Sequence, residues 1–174
     1  GGFGTQDETF ELLTLIQTGK SHLSPVVLLE AEGTDYWGPW EDFVRSTLLE
    51  QGMISPHDLS LFKRVPGIAE AEEEICGFYR FYHSQRYVAD RLVLRLIAPP
   101  SDALVERLND EFADILASGT IEAIEATPAE VESDDHVELP RLRLHFDRRN
   151  HGRLRQMVDV INALGTEEGT PATD

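Results

Sequence analysis

The run Pro25-Val26-Val27-Leu28-Leu29, continuous and apolar, constrains the fold more than any other feature of the chain. A strand with one wet face alternates in polarity. An unbroken apolar run predicts a strand covered on both faces, the condition of a parallel sheet layered with helices. Ahead of it, Phe10, Leu12, Leu13, Leu15 and Ile16 fall at helical spacing, and Gly19 stands where a helix ends in a left-handed C′ residue. Behind it, Tyr36 to Gln51 gathers Trp37, Trp40, Phe43, Val44, Leu48 and Leu49 on one broad helix face. Ser55-Pro56-His57-Asp58 is a helix-start signal before a short segment, Leu61 to Val65 predicts a short strand, and Pro66 to Ser84 a long helix.

Helix–strand–helix–strand–helix is the second half of a Rossmann-like, doubly wound parallel α/β sheet. The pattern then restarts. Tyr87 to Ile97 and Thr120 to Ala126 alternate as half-buried strands do. Between them, Pro99-Pro100-Ser101-Asp102 caps a helix running to Ala117 and closed by Gly119. Pro128 to Glu138 reads as an acidic loop, Leu139 to Phe146 as a strand and Asn150 to Leu164 as a final helix. The expected organisation is an α/β half-domain over residues 1–85, a small α+β (β-α-β-β-α) module over 86–165, and a frayed polar tail over 166–174.

The chain carries 32 acidic and 15 basic residues, a formal charge of −17. This argues against nucleic-acid or anionic-membrane partners, which need Lys and Arg to neutralise phosphates. A single phosphorylated small molecule remains open, because backbone N–H groups at a helix N-terminus hold a phosphate without any lysine. The excess is spread evenly, net −9 over residues 1–85 and net −8 over 86–174. The single cysteine, Cys76, cannot form an internal disulfide; among apolar and aromatic neighbours it reads as a small buried hydrophobe rather than a reactive thiol. No apolar run approaches the roughly 20 residues of a membrane helix and nothing resembles a signal peptide, so the expected location is the cytoplasm.

The turn Gly1-Gly2-x-Gly4-Thr5 heads the first helix. Glycines let backbone approach a phosphate closely, and the following helix directs free N–H groups and its positive dipole end at it. It is not a dinucleotide fingerprint, whose third glycine would replace Asp7. Gly19-Lys20-Ser21 is not a P-loop either, because the motif's first glycine would fall on Thr14. The chain opens inside the turn with neither an initiator methionine nor a preceding strand. That reads as a cut, and these 174 residues are expected to be inactive alone.

Gly1-Gly2-Phe3-Gly4-Thr5-Gln6-Asp7-Glu8 resembles the PGGxGTxxE motif of the LOG family of nucleoside 5′-monophosphate phosphoribohydrolases, lacking only its proline. Glu11, Leu15, Gln17 and Gly19 fall where that family continues E-x-x-x-(apolar)-x-Q-x-G, and Glu50-Gln51-Gly52-Met53-Ile54-Ser55 is similar to its EGFIS segment. Residues 78 to 164, with Phe78-Tyr79-Arg80 and Tyr82-His83-Ser84, are similar to the C-terminal extension of longer bacterial members. Some of those have been labelled lysine decarboxylases, but no pyridoxal-phosphate site is visible here. The resemblance implies hydrolysis of a nucleotide's N-glycosidic bond to free base and ribose 5-phosphate, by a homodimer or larger homo-oligomer, without cofactor or metal. It assigns the catalytic carboxylate to Glu8 and the 5′-phosphate to Gly1, Gly2, Gly4 and Thr5. It also implies a catalytic arginine upstream of the glycine motif.

Several residues carry two readings. Thr5-x-x-Glu8 is also a capping box, in which the glutamate folds back on the cap. Glu11, one turn further on the same face, contacts ligand or only shapes the site. The whole protein is either the hydrolase or a non-catalytic, regulatory nucleotide binder, and residues 86–165 have the pattern of an effector module. The six histidines show no i,i+4 zinc pair. Asp134-Asp135-His136 reads as a solvated loop rather than a metal site, and Arg148, Arg149, Arg153 and Arg155 as partners of nearby acids. Phe78, Tyr79, Phe81 and Tyr82 read as packing residues.

Overall fold

The computed structural model describes residues 1–168. By their contacts these fall into two units, one of Gly1–Gly77 with Arg148–Gln156 and one of Phe78–Asp147 with the residues from Met157 onward. The division by contacts lies at Gly77–Phe78, and the first unit includes the later segment Arg148–Gln156.

The first unit contains α1 (Phe3–Gln17), β1 (Val27–Leu29), α2 (Trp37–Phe43) running on as a π-helix over Val44–Leu49, a 3₁₀ helix over Pro56–Leu61, β2 (Lys63–Val65) and most of α3 (Ile68–Phe78). β1 and β2 are parallel, with Val27, Leu28 and Leu29 opposite Lys63, Arg64 and Val65. The chain is mixed α/β as expected, and the parallel sheet of the described residues has two strands. Full coverage of β1 is not found: Leu28 is buried, while Leu29 is 42% exposed. The core is aromatic. Trp40 meets Phe10, Trp37 and Phe62 at ring distances of 5.5, 5.7 and 5.1 Å. Gly19 is the left-handed C′ residue expected, at φ 70°, and a side chain there would run into the His151 ring. Asp58 accepts from the Ser55 N–H at 2.8 Å at the head of the 3₁₀ helix. From the segment 148–156, Arg155 pairs with Glu74 at 2.5 Å and Gln156 donates to Ser60 Oγ at 2.8 Å.

The second unit is a four-stranded antiparallel sheet in the order β3-β4-β6-β5, from β3 (Tyr82–Val88), β4 (Arg91–Leu96), β5 (Leu116–Ile124) and β6 (Arg141–Phe146). Strand alternation places Leu92, Leu94 and Leu96 of β4 and Leu142, Leu144 and Phe146 of β6 on one buried face. The helices of this unit are α4 (Asp102–Phe112), α5 (Pro128–Glu132) and the later turns of α6 (His151–Glu168). α4 buries Leu104, Leu108 and Phe112, and α6 buries Met157, Val158 and Ile161. Two asparagines fasten helix to sheet. Asn109 exchanges hydrogen bonds with the Ile121 backbone, and Asn162 accepts from the Phe81 and Tyr82 N–H groups while donating to the Phe78 carbonyl.

Four boundaries differ from the periodicity. The helix expected to reach Ser84 stops at Phe78, and Tyr82–Val88 forms an additional strand, because Phe81 and Tyr82 are core residues of the second unit. α4 ends at Phe112, whose φ of −122° leaves the helix, and Gly119 lies within β5 instead of closing α4. The expected acidic loop contains α5, opened by a Thr127–Glu130 capping box. Residues 165–168, expected in or next to a frayed tail, continue α6; residues 169–174 lie outside the described residues.

Candidate functional site

The glycine turn and the loop leaving β1 come together in the first unit. α1 begins at Phe3 with Gly2 as N-cap, in extended geometry and with no side-chain cap. Its first N–H groups therefore present a positive dipole end without a protein oxygen from a cap, the arrangement that favours an anion. Gly1 N donates to Thr5 Oγ1 at 3.1 Å, and Thr9 Oγ1 donates to the Thr5 carbonyl at 2.7 Å.

The start of α1 at Phe3 bears on the capping box expected of Thr5 and Glu8. Because Gly2 is the cap, Thr5 lies inside the helix and the Thr5–Glu8 capping box is not formed. Glu8 is exposed and makes no hydrogen bond or ion pair with the described residues, and Glu11 is likewise exposed. The turn thus places Gly1, Gly2, Gly4 and Thr5 at the head of α1, with the two carboxylates one and two turns behind Thr5.

Residues that no motif marks complete the neighbourhood. Glu30 follows β1 directly, and its carboxylate accepts from the backbone N–H groups of Tyr36 and Trp37, both at 2.9 Å. That carboxylate anchors the first turn of α2 in place of a side chain from the cap residue. Trp37 Nε1 donates to the Leu29 carbonyl at 3.2 Å. Gln6 Nε2 donates to the Tyr36 hydroxyl at 2.7 Å, joining the head of α1 to this loop. Arg64 on β2 pairs with Asp35 at 2.6 Å, Glu41 at 3.3 Å and Glu30 at 3.5 Å. Desolvation pulls its pKa down, but these three carboxylates outweigh it and raise it. The signal for Glu30 and Tyr36 was positional: ligands of α/β sheets gather outside the carboxyl ends of parallel strands, where the loop after Leu29 lies.

Cys76 is exposed on α3 and is not a buried hydrophobe; Ile75 and Tyr79 beside it are exposed as well. Asp135 pairs with Arg86 and with Arg95, and no group of three or more His, Cys, Asp or Glu among the described residues is arranged to hold a metal ion. Phe78, Phe81 and Tyr82 are buried, whereas Tyr79 is 45% exposed. No described helix is long and apolar enough to cross a membrane.

Fold and turn together define a mixed α/β protein with a glycine-rich helix N-terminus set against the loop after a parallel strand. Residues 1–75 match the family model described as "Possible lysine decarboxylase", the LOG-family domain under its former description. The match stops just short of the division at Gly77, so the antiparallel unit lies outside it. No curated protein matches the chain.

Proposed function

We propose that residues 1–75 are the C-terminal half of a Rossmann-like nucleotide-binding domain and that the protein hydrolyses the N-glycosidic bond of a nucleoside 5′-monophosphate. The observation that carries this reading is the family match, which covers a helix start with no side-chain cap and an exposed glutamate with no partner among the described residues. Gly1, Gly2, Gly4 and Thr5 hold the 5′-phosphate at the helix N-terminus. As the C–N bond lengthens, positive charge builds on the sugar; Glu8 stabilises it and orients the attacking water. Water oxygen adds to the anomeric carbon, the base leaves with a proton, and ribose 5-phosphate remains. Glu11 shapes the same face. In this reading the enzyme works in the cytoplasm as a homodimer or larger homo-oligomer, with the family's arginine as the second catalytic group.

The test uses the full-length natural protein, incubated with AMP and a panel of nucleoside monophosphates, with ribose 5-phosphate release as the readout. Glu8→Gln is expected to lower release at least about a hundredfold while the protein stays folded. Nucleotide binding without release from the wild type would instead support the non-catalytic, regulatory binder.

A further inference from the structure

Tyr36 belongs to no motif in the chain, yet its ring lies on the glycine turn. A Cβ at Gly1 would stand 3.3 Å from Tyr36 Cε2 and 3.6 Å from Cζ, the carbon that bears the hydroxyl. The ring is firmly seated. Glu30 holds the Tyr36 and Trp37 N–H groups, and the Trp37 ring meets it edge-on at 4.9 Å. Tyr36 nevertheless stays 38% exposed.

Its hydroxyl accepts a hydrogen bond from Gln6 Nε2 at 2.7 Å. A phenol that accepts still has its own proton to donate, and no described residue takes it. The partner amide is also incomplete: Gln6 Oε1 is shielded from solvent and finds no donor. Here the spare phenol proton, not the amide oxygen, lies next to a helix start that favours an anion.

We propose that Tyr36 is a phosphate-binding residue, donating its hydroxyl proton to the 5′-phosphate of the nucleotide while Gln6 orients it. This rests on the reading of the glycine turn given above. The Gln6–Tyr36 bond then links the head of α1 to the loop after β1, so that both sides of the turn hold the same phosphate.

Tyr36→Phe removes the hydroxyl and keeps the ring on Gly1 and Trp37. In the full-length natural protein, Y36F is expected to weaken ribose 5-phosphate binding and raise KM for AMP by roughly tenfold or more, as for a lost hydrogen bond to a charged group. Affinity for adenosine, which lacks the phosphate, and the thermal midpoint are expected to stay at wild-type values. Unchanged ribose 5-phosphate affinity in Y36F overturns the assignment alone, as does an equal loss for adenosine, which marks a structural role. A wild-type protein that neither binds ribose 5-phosphate nor releases it from AMP overturns the underlying reading as well.

Discussion

Glu130 is fully buried, with one carboxylate oxygen 2.9 Å from Arg95 and the other 3.1 Å from Arg141. Arg141 also donates to the carbonyls of Asp135, His136, Val137 and Leu139, so the acid and two arginines hold the segment after α5 on the sheet. Desolvation pushes the Glu130 carboxyl up, but hydrogen bonds from Thr127, Arg95 and Arg141 outweigh it and keep it below the ordinary carboxylate range. A depressed folded-state pKa contributes stability above the unfolded value, near 4.5, that is lost as pH falls through the folded value. Glu130→Gln is expected to lower unfolding free energy by about 3–5 kcal/mol at pH 7, because buried guanidinium groups lose their counter-charge. Urea unfolding checks this, and below pH 4.5 the gap between variant and wild type should narrow. Nothing local in the sequence separates Glu130 from the other acids of 130–138; its burial is set by arginines 11 and 35 residues away. Gly19 was legible for the opposite reason, since a helix C′ glycine is fixed by its own backbone. The Thr5–Glu8 capping box lay between these cases, because its formation turned on which residue caps α1.

Among the elements, start signals were an uneven guide: Ser101 was read correctly, whereas the Thr127–Glu130 capping box of α5 was passed over as loop. Ser101 caps α4 as expected, its hydroxyl accepting from the Leu104 N–H at 3.0 Å. Ser101→Ala should therefore cost about 1 kcal/mol, read as a lower midpoint in thermal unfolding with the fold retained. β3 was hidden within a predicted helix, because Pro66 to Ser84 keeps helical spacing across the point where the chain changes unit. What ends α3 is the demand of the antiparallel sheet for Phe81 and Tyr82, a non-local cause. The short parallel strand β1 was legible from its apolar content, but its exposure was not, since coverage depends on what lies beside it.

For the whole molecule, the charge of −17 is expected to act as self-repulsion in the folded state. Raising sodium chloride from about 10 mM to about 150 mM shortens the Debye length from roughly 30 to 8 Å and should raise the thermal midpoint. An unchanged or lower midpoint by calorimetry would mean that the screened ion pairs matter more than the net charge. Such pairs are numerous on the second unit, where Arg143 meets Glu122 at 2.6 Å and Arg86 meets Asp135.

The discontinuous first unit also bears on biosynthesis. Residues 1–77 leave the ribosome before their completing segment 148–156 has been made. At roughly 5–20 residues per second, translating the intervening 78–147 takes on the order of 4–14 s. Throughout that interval Glu74 lacks Arg155 and Ser60 lacks Gln156, so the nascent first unit passes through a stage in which chaperones and proteases meet it unfinished.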